Sequence, residues 1–397
     1  MILYQKEVVA LKVLFYRYKN ICEPDVIAAF KELGLTVAEM EHKAHTFKES
    51  VLSISEYLQH YPVDFVFSIN FFPALSEVCN VFHLRYLSWS ADCPVFEYYT
   101  PSVKNIWNRI FLFDREQYNK ISPLNPDRVF HLPLAANPVS KERLFRNTPT
   151  SVFSKYRSDV SFVGSLYTEM CPYDKISGIP DYLKGYLDGL MSAQEKVYGG
   201  YFIDALLTDN IIAECKKYIP DFYQPFPGSC LTDQEILSSL YLVAKISANE
   251  RLSPMQLLGS YFCVDLYTGS STSDLPMVRN KGLANTFTEM PLVFHESRIN
   301  LNITSKSIRS GLPLRIFDIL SCQGFVLTNY QSEIDNCFDI GADLEVYSST
   351  DELLEKSRYY LTHENERAEI AYHGWETLKK YHTYMHRLTE MLTKAFL

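Results

Sequence analysis

The stretch Ser310–Asn329, SGLPLRIFDILSCQGFVLTN, indicates the fold class of this chain because its pattern predicts a helix directly before a buried strand. Gly311–Pro313 makes a tight turn into the helix, and proline fits the first helical turn, where its missing N–H costs nothing. The run GFVLTN at the end of the stretch is typical of a strand that is covered on both faces. A helix that leads into such a strand predicts an α/β unit with a parallel sheet.

Short apolar runs alternate with amphipathic stretches along most of the chain. In the first third we predict strands at residues 12–18, 35–41, 64–70, 85–91, 108–114 and 128–136, with helices at 23–34 and 45–61. Further strands are predicted at 159–167, 261–269, 292–304 and 324–329, with a final helical run from Asp351 onward. Apolar runs of this length with little alternation suit strands buried on both faces, and the intervening helices indicate parallel sheets.

The length of 397 residues is too great for one ordinary core, so we expect two domains. The first Rossmann-like domain is predicted over residues 1–140 and the second over residues 159–380, with a polar hinge at 137–158. The second domain carries a mostly helical insertion at residues 172–260. The predicted fold class is therefore α/β, with two doubly wound domains facing across a cleft at the carboxyl ends of their strands.

The composition narrows the class of protein. With 38 Lys and Arg against 47 Asp and Glu, the net charge of −9 argues against a protein that coats nucleic acid. Nine scattered cysteines without a CxxC pair indicate reduced thiols in a cytoplasmic protein, not disulfides or a zinc site. We expect no signal peptide and no membrane span, since no run approaches roughly 18 apolar residues. Peripheral membrane association and oligomer formation are left open.

The helix in the opening stretch carries a polar pair, Arg315 and Asp318, which lie three residues apart and so share one face. A guanidinium can bind phosphate oxygens, and a carboxylate can accept two hydrogen bonds from a ribose diol. The free N–H groups at the start of the helix suit a diphosphate. The residues of this helix start are Gly311, Leu312, Pro313 and Leu314. The pattern predicts a sugar-nucleotide site; the alternative is an ion pair on the surface of an ordinary helix.

Several motifs, in order along the chain, resemble the CgeB-like glycosyltransferases, a GT-B family that includes spore-maturation proteins. They are SINFFPALSEVC, YLSWSADCPVFEYY, NRIFLFDREQ and HLPLAAN, then VSFVGSLYTE and INLNIT…IRSGLPLRIFDILSCQGFVLTNYQSEI. The resemblance implies a GT-B fold and a donor that is a UDP-sugar. It matches Asp318 to the ribose-binding carboxylate of many retaining members, and it implies that the helix at 381–397 crosses back onto the first domain. Ser310 stands where many such enzymes carry a glutamate, which leaves the stereochemical outcome open.

Five further residues are candidates for the site. Gly164 and Ser165 follow a strand and would, by analogy with GT-B enzymes, approach the donor phosphates; the alternative is a plain turn. Asn300 and Asn302 share one face of a strand, and they either contact base or sugar or bond to neighbouring backbone. Asp92 lies just past a strand end, where open α/β sheets bind ligands, so it is the candidate catalytic base for an acceptor hydroxyl. Aspartate before Cys-Pro is also a good turn former.

The absence of D-x-D and H-E-x-x-H motifs favours a mechanism without a metal and without a cofactor beyond the nucleotide sugar. The predicted reaction transfers a hexose or N-acetylhexosamine from a nucleotide diphosphate to a hydroxyl of a glycan or protein acceptor. A UDP-sugar epimerase and a non-catalytic sugar-nucleotide or glycan-binding partner of another transferase are the alternatives. Asp114 and Arg115, at the next strand end, are expected to form an N-cap or ion pair.

Overall fold

The computed structural model describes residues 11–43, 46–169 and 171–396. The strands are β1 Lys12–Arg17, β2 Thr36–Glu41, β3 Phe65–Ile69, β4 Arg85–Trp89, β5 Asn108–Leu112, β6 Val129–His131, β7 Ser158–Val163, β8 Val264–Tyr267, β9 Arg279–Asn280, β10 Ser297–Asn302, β11 Val326–Asn329 and β12 Glu345–Tyr347. The α-helices are α1 Glu23–Glu32, α2 Phe47–His60, α3 Pro73–Phe82, α4 Arg115–Ile121, α5 Pro138–Asn147, α6 Thr150–Phe153, α7 Asp181–Gln194, α8 Ile203–Leu206, α9 Asp209–Lys216, α10 Asp233–Ile236, α11 Val243–Gly259, α12 Met290–Glu296, α13 Leu314–Ser321, α14 Thr350–Thr362, α15 Glu364–Tyr381 and α16 Tyr384–Phe396.

These strands form two parallel sheets of six strands each. The first has the order β2-β1-β3-β4-β5-β6, and the second has the order β12-β11-β10-β7-β8-β9. The direction of strand progression reverses between β1 and β3 in the first sheet and between β10 and β7 in the second. Open sheets of this kind leave a crevice at the carboxyl ends of the strands beside the reversal. The predicted fold class, with two doubly wound α/β units, is confirmed.

One hydrophobic core joins the two halves of the molecule. Phe67 and Trp89 of the first sheet belong to the same buried cluster as Ile316 and Phe317 of α13. Helix α16 completes this core on the first domain, where the ring of Phe396 lies 5.4 Å from that of Phe65. Helix α16 therefore lies against the first domain. Within the described residues, no helix combines the length and apolar character needed to cross a membrane.

The segment predicted as a helical insertion is helical, with α7 to α11 and a π-helical turn at Leu237–Leu242 that runs directly into α11. It has a hydrophobic core of its own, built from residues such as Leu187 and Ile246. Phe96 and Tyr99 of the first domain pack against that core. The insertion therefore touches both domains and lies at the edge of the cleft between them.

Two segments differ from their predicted structure. Residues 292–296 were expected to begin a strand, but they complete α12, because Pro291 lies in the first helical turn and the chain becomes extended only at Ser297. The polar segment 137–158, expected to be a hinge, is mostly helical. There the Asn137 side chain accepts a hydrogen bond from the Ser140 N–H, so it caps α5.

Element ends differ by a few residues elsewhere. The helix expected from residue 45 begins at Phe47, after Thr46 and Glu49 form a reciprocal capping box; residues 44 and 45 lie outside the described ranges. The strand expected at 128–136 ends at His131. The short strands β9 and β12 were not predicted, since each has only two or three residues and includes a charged one.

Candidate active site

A pocket of about 280 Å³ lies in the cleft, where loops after the strands of both sheets meet. The first domain contributes the loop after β4, and the second contributes the ends of β7 and β10 with the segments that follow them. The start of α13 and one side chain of α11 close the remaining side. Because β7 and β10 flank the reversal of strand order, the pocket occupies the position where open α/β sheets bind ligands. We call it the cleft pocket.

The cleft pocket brings together residues that are distant in sequence and that were predicted separately. The predicted residues that line it are Asp92, Gly164, Ser165, Asn302, Pro313 and Arg315. The predicted residues that do not line it are Asn300, Gly311, Leu312, Leu314 and Asp318. A carboxylate of the first domain thus faces the same space as a guanidinium and a glycine turn of the second.

Arg251 on α11 also lines the pocket, and sequence reasoning missed it. Its guanidinium donates to the backbone oxygens of Ser165 and Ile303, and it stacks over the Tyr167 ring at 3.9 Å from the centroid. Its Nε has no hydrogen-bond partner within the described part of the chain, although the residue is only 9% exposed. Arginine keeps its charge when buried, so Arg251 places a fixed, incompletely satisfied cation in the pocket.

Arg315 is the second cation of the pocket. Its Nη1 lies 3.0 Å from Oδ2 of Asp318, and its guanidinium carbon lies 5.3 Å from the centre of the Phe294 ring. Burial raises the pKa of the Asp318 carboxyl, and the charge of Arg315 acts in the opposite direction. Since Arg315 lines the pocket and Asp318 does not, the carboxylate positions the guanidinium. The proposed contact between Asp318 and a ribose stays a prediction.

Asp92 is exposed and lines the pocket from the first domain. Asn70 holds the loop: its Oδ1 accepts the N–H of Ala91 at 2.9 Å, and its Nδ2 donates to Oδ2 of Asp92 at 2.6 Å. The structure shows no other hydrogen bond to the Asp92 side chain among the described residues. Asp92 therefore keeps lone pairs available to a hydroxyl group in the pocket.

The two asparagines of β10 have different surroundings. Asn300 is fully buried, and its amide donates to the backbone oxygens of Phe294 and Phe325 while Ser161 donates to its Oδ1. These bonds match the alternative that it supports neighbouring backbone. Asn302 donates to two threonine hydroxyls and also lines the pocket. Of the pair, Asn302 is the one that a ligand can reach.

The loop before α13 meets the first domain directly. A Cβ at Gly311 would lie 2.8 Å from the backbone oxygen of Phe113, so this close approach requires glycine. Oδ2 of Asp114 accepts the N–H groups of Arg309, Ser310 and Gly311 at 2.7, 2.9 and 3.1 Å. Its Oδ1 accepts the N–H of Gln117 and caps α4, which confirms the expected N-cap. Of the predicted helix start, the N–H of Gly311 thus binds a carboxylate of the protein.

The nearby residues of the opening stretch have structural neighbours. Leu312 is buried in the core that joins the two domains, and Leu314 packs against that core. The hydroxyl of Ser310 donates to Oε1 of Glu333 at 2.6 Å. Oε2 of Glu333 in turn lies 2.7 Å from Nε2 of His131 in the first domain. Only Pro313 and Arg315 continue from this stretch into the cleft pocket.

Comparison with known proteins agrees with this architecture. Residues 243–393 match the family described as glycosyl transferase-like. That match includes Arg251, Asn302, Pro313 and Arg315 of the cleft pocket. A short match to the Lactocin 705 family covers residues 170–199, at the start of the insertion. No curated protein matches the sequence.

Solved glycosyltransferases share the fold over nearly the whole chain. A glycosyltransferase from Rickettsia africae is 11% identical, with a TM-score of 0.52 and coverage of 98% of both chains. HepE from Anabaena, determined in complex with UDP-glucose, is 10% identical, with a TM-score of 0.54 and coverage of 96% of this chain and 98% of its own. A sucrose-phosphate synthase from Thermosynechococcus elongatus is 10% identical, with a TM-score of 0.51 and coverage of 97% and 98%. The chain therefore has the GT-B glycosyltransferase fold and, in its second domain, a glycosyl transferase-like region.

Proposed function

We propose that this protein is a glycosyltransferase that moves a hexose-type sugar from a UDP-sugar to a hydroxyl group of an acceptor. The observation that carries the proposal is the composition of the cleft pocket. Two guanidinium groups, of Arg251 and Arg315, line it from the second domain, and the carboxylate of Asp92 lines it from the first. A cleft with cations on one wall and a carboxylate on the other suits a negatively charged leaving group opposite a proton acceptor.

In this proposal the two arginines bind the diphosphate of the donor. Hydrogen bonds within the protein fix both guanidinium groups. Arg315 donates to Asp318, and Arg251 donates to the backbone oxygens of Ser165 and Ile303. Pre-positioned cations stabilise charge that develops on a leaving diphosphate without further reorganisation. This arrangement supplies positive charge from the protein itself, and we propose no metal and no cofactor for the reaction.

The proposed chemical step uses the two guanidinium groups and the carboxylate that line the pocket. The acceptor oxygen forms a bond to the anomeric carbon of the donor sugar, and the bond from that carbon to the diphosphate oxygen breaks. The acceptor proton passes to the carboxylate of Asp92, and UDP leaves with the bonding electron pair. General-base assistance of this kind contributes about 10² to 10⁴ in rate.

The comparisons support the class of donor. The region 243–393 is glycosyl transferase-like, and HepE, whose fold is similar, was determined with UDP-glucose. We propose UDP as the nucleotide on this ground, and CgeB-like membership on the motifs quoted above. The transferred sugar is, in this proposal, a hexose or an N-acetylhexosamine.

The first test is thermal unfolding with UDP, GDP, ADP and CMP. At 100 times the dissociation constant, a bound nucleotide stabilises the protein by about 2.7 kcal/mol. We expect UDP to stabilise the wild type, Arg315→Ala to lose this effect and Asp318→Ala to weaken it. Arg157→Ala is the matched control, because Arg157 is an exposed arginine just before β7, at the opposite end of that strand from the pocket. Equal stabilisation of all four proteins by UDP, or of none, would contradict the proposal.

A turnover assay separates the remaining alternatives. Purified protein with UDP-glucose and a hydroxyl acceptor should release UDP and form a new glycoside. Conversion of the sugar without any acceptor would identify an epimerase instead. Binding of UDP without turnover, across a panel of sugar and lipid acceptors, would identify a non-catalytic binding protein.

A further inference from the structure

A second cavity, of about 610 Å³, lies beside the cleft pocket. Ser165, Tyr167, Ser305 and Ser307 line both spaces, so the two adjoin each other. Beyond these residues the wall of the second cavity is mostly apolar. We call it the apolar groove, and the residues that define it are Pro94, Phe96, Pro172, Leu240, Val243 and Ala244.

The loop that carries the candidate base also carries one wall of the groove. Asp92 lines the cleft pocket, and Pro94 and Phe96, two and four residues later, line the groove. The ring of Phe96 is held by the insertion, since it lies 5.2 Å from the ring of Tyr223. A molecule whose hydroxyl group reaches Asp92 would therefore extend its body along Pro94 and Phe96.

The helical insertion provides the opposite wall. Leu240 lies in the π-helical turn, and Val243 and Ala244 begin α11. A hydrogen bond connects this wall to the second domain, because Nη2 of Arg309 donates to the hydroxyl of Ser239 in the insertion at 3.1 Å. The groove is therefore formed by the loop after β4, the helical insertion and the second domain. The contacts of Phe96 and Arg309 hold these parts together.

The charge distribution separates the groove from the cleft pocket. Among the described residues, Glu169 is the only charged residue that lines the groove, and its carboxylate accepts the N–H of Ser271 at 2.8 Å. Within the described ranges, no cation lines this space to bind a phosphate or an acidic chain. Apolar side chains form most of the wall instead, which favours the burial of hydrocarbon.

We propose that the apolar groove binds the hydrocarbon chain of the acceptor. The acceptor is then a hydroxyl compound with an alkyl or isoprenoid chain, such as a glycolipid, with its hydroxyl at Asp92 and its chain between Phe96 and Ala244. This inference rests on the proposed function, and it differs from the polysaccharide or protein acceptor that the family resemblance suggests. It also assigns the helical insertion to acceptor recognition.

The test uses methyl, butyl and octyl glucoside, below the micelle concentration of the octyl compound. Binding to the protein saturated with UDP is measured by titration calorimetry. We expect the affinity to rise at least about tenfold from methyl to octyl glucoside, because each methylene buried in the groove adds to the binding. Ala244→Asp should return the affinity for octyl glucoside to that for methyl glucoside, while UDP binding stays unchanged.

Leu206→Asp is the matched control, because Leu206 is an apolar residue of the same insertion, 44% exposed and outside the groove. It should leave the chain-length effect intact. Leu240→Asn serves as a second groove variant if Ala244→Asp does not fold. Equal affinity for the three glucosides, or a chain-length effect that survives in the groove variants, would overturn the inference. Failure of UDP to bind the wild type would instead contradict the proposed function.

Discussion

Asp92 and Asp114 follow neighbouring strands of the first sheet, β4 and β5, yet their surroundings are opposite. Asp114 is fully buried and accepts hydrogen bonds from four backbone N–H groups, three of them in the second domain. Asp92 is exposed to the cleft pocket and accepts one hydrogen bond, from the side chain of Asn70. From sequence alone, both are aspartates just beyond the end of an apolar strand.

The number of hydrogen bonds that a carboxylate accepts distinguishes a structural group from one that can react with a ligand. Buried charge is tolerated only where hydrogen bonds satisfy it, so a saturated carboxylate such as Asp114 stabilises the structure. A carboxylate with free lone pairs beside a cavity can accept a proton from a ligand. Asp114 therefore joins the domains, and Asp92 is the carboxylate to which we assign proton transfer in the proposed reaction.

The largest loss is expected for Asp114→Ala. The substitution removes the cap of α4 and leaves the N–H groups of Arg309, Ser310 and Gly311 buried without an acceptor. We expect the free energy of unfolding to fall by about 3 to 5 kcal/mol, measured by urea denaturation. A loss below about 1 kcal/mol would show that Asp114 contributes little more to the free energy of unfolding than Asp92 does.

A smaller, pH-dependent loss is expected for Glu333→Gln. Burial raises the pKa of Glu333, but hydrogen bonds outweigh this effect and lower the pKa below the ordinary value of 4.5. The donors are His131, Ser310 and the backbone N–H of Arg115. The folded state therefore holds the proton less tightly than the unfolded state does. The resulting stability is complete above pH of about 4.5 and is lost as the pH falls through the lower, folded-state pKa.

At pH 7 the Glu333→Gln variant should lose about 1 to 2 kcal/mol of unfolding free energy, which denaturant titration would measure. The gap to the wild type should narrow as the pH falls below about 4.5 and through the lowered pKa, because the wild-type carboxylate then gains its proton. Glu355→Gln, on the exposed face of α14, is a control that should change little. A gap that is constant from pH 7 to pH 3 would contradict the assigned hydrogen bonds.

The smallest effect on stability is expected for Asp92→Asn, within about 0.5 kcal/mol, because the residue is exposed and makes one side-chain hydrogen bond. Its effect on sugar transfer should be large, a loss of about 100-fold or more, with UDP binding retained. The rate of UDP release with acceptor, and thermal unfolding with UDP, measure the two quantities. Full activity in this variant would remove Asp92 from the mechanism.

Much of the fold is predictable from the sequence, because buried parallel strands read as continuous apolar runs. The strand β3, FVFSI, is buried at every position and was placed nearly to the residue. Short or partly charged elements such as β9 and β12 lack that signal, since two or three residues show no periodicity. The helix ending at Glu296 was missed because its apolar residues are also typical of a strand.

The candidate site was only partly predictable, because a pocket depends on distant contacts. Glycine turns and strand ends carry local signals, and these identified Gly164, Ser165 and Asp92. Arg251 lies on a helix of the insertion, 86 positions from the Ser165 oxygen to which it donates, and no local pattern distinguishes it from a surface arginine. The carboxylate of Asp114, which binds the N–H groups before α13, comes from the other domain. No local pattern in the sequence therefore predicts this contact.

The most direct test of the proposed donor site is a crystal structure of the protein with UDP bound. We expect the diphosphate in the cleft pocket, within hydrogen-bond distance of the guanidinium groups of Arg251 and Arg315. The Asp92 carboxylate would face the terminal phosphate across the space left for the sugar. A nucleotide bound outside this cleft, or one in it that touches neither arginine, would contradict the proposed donor site.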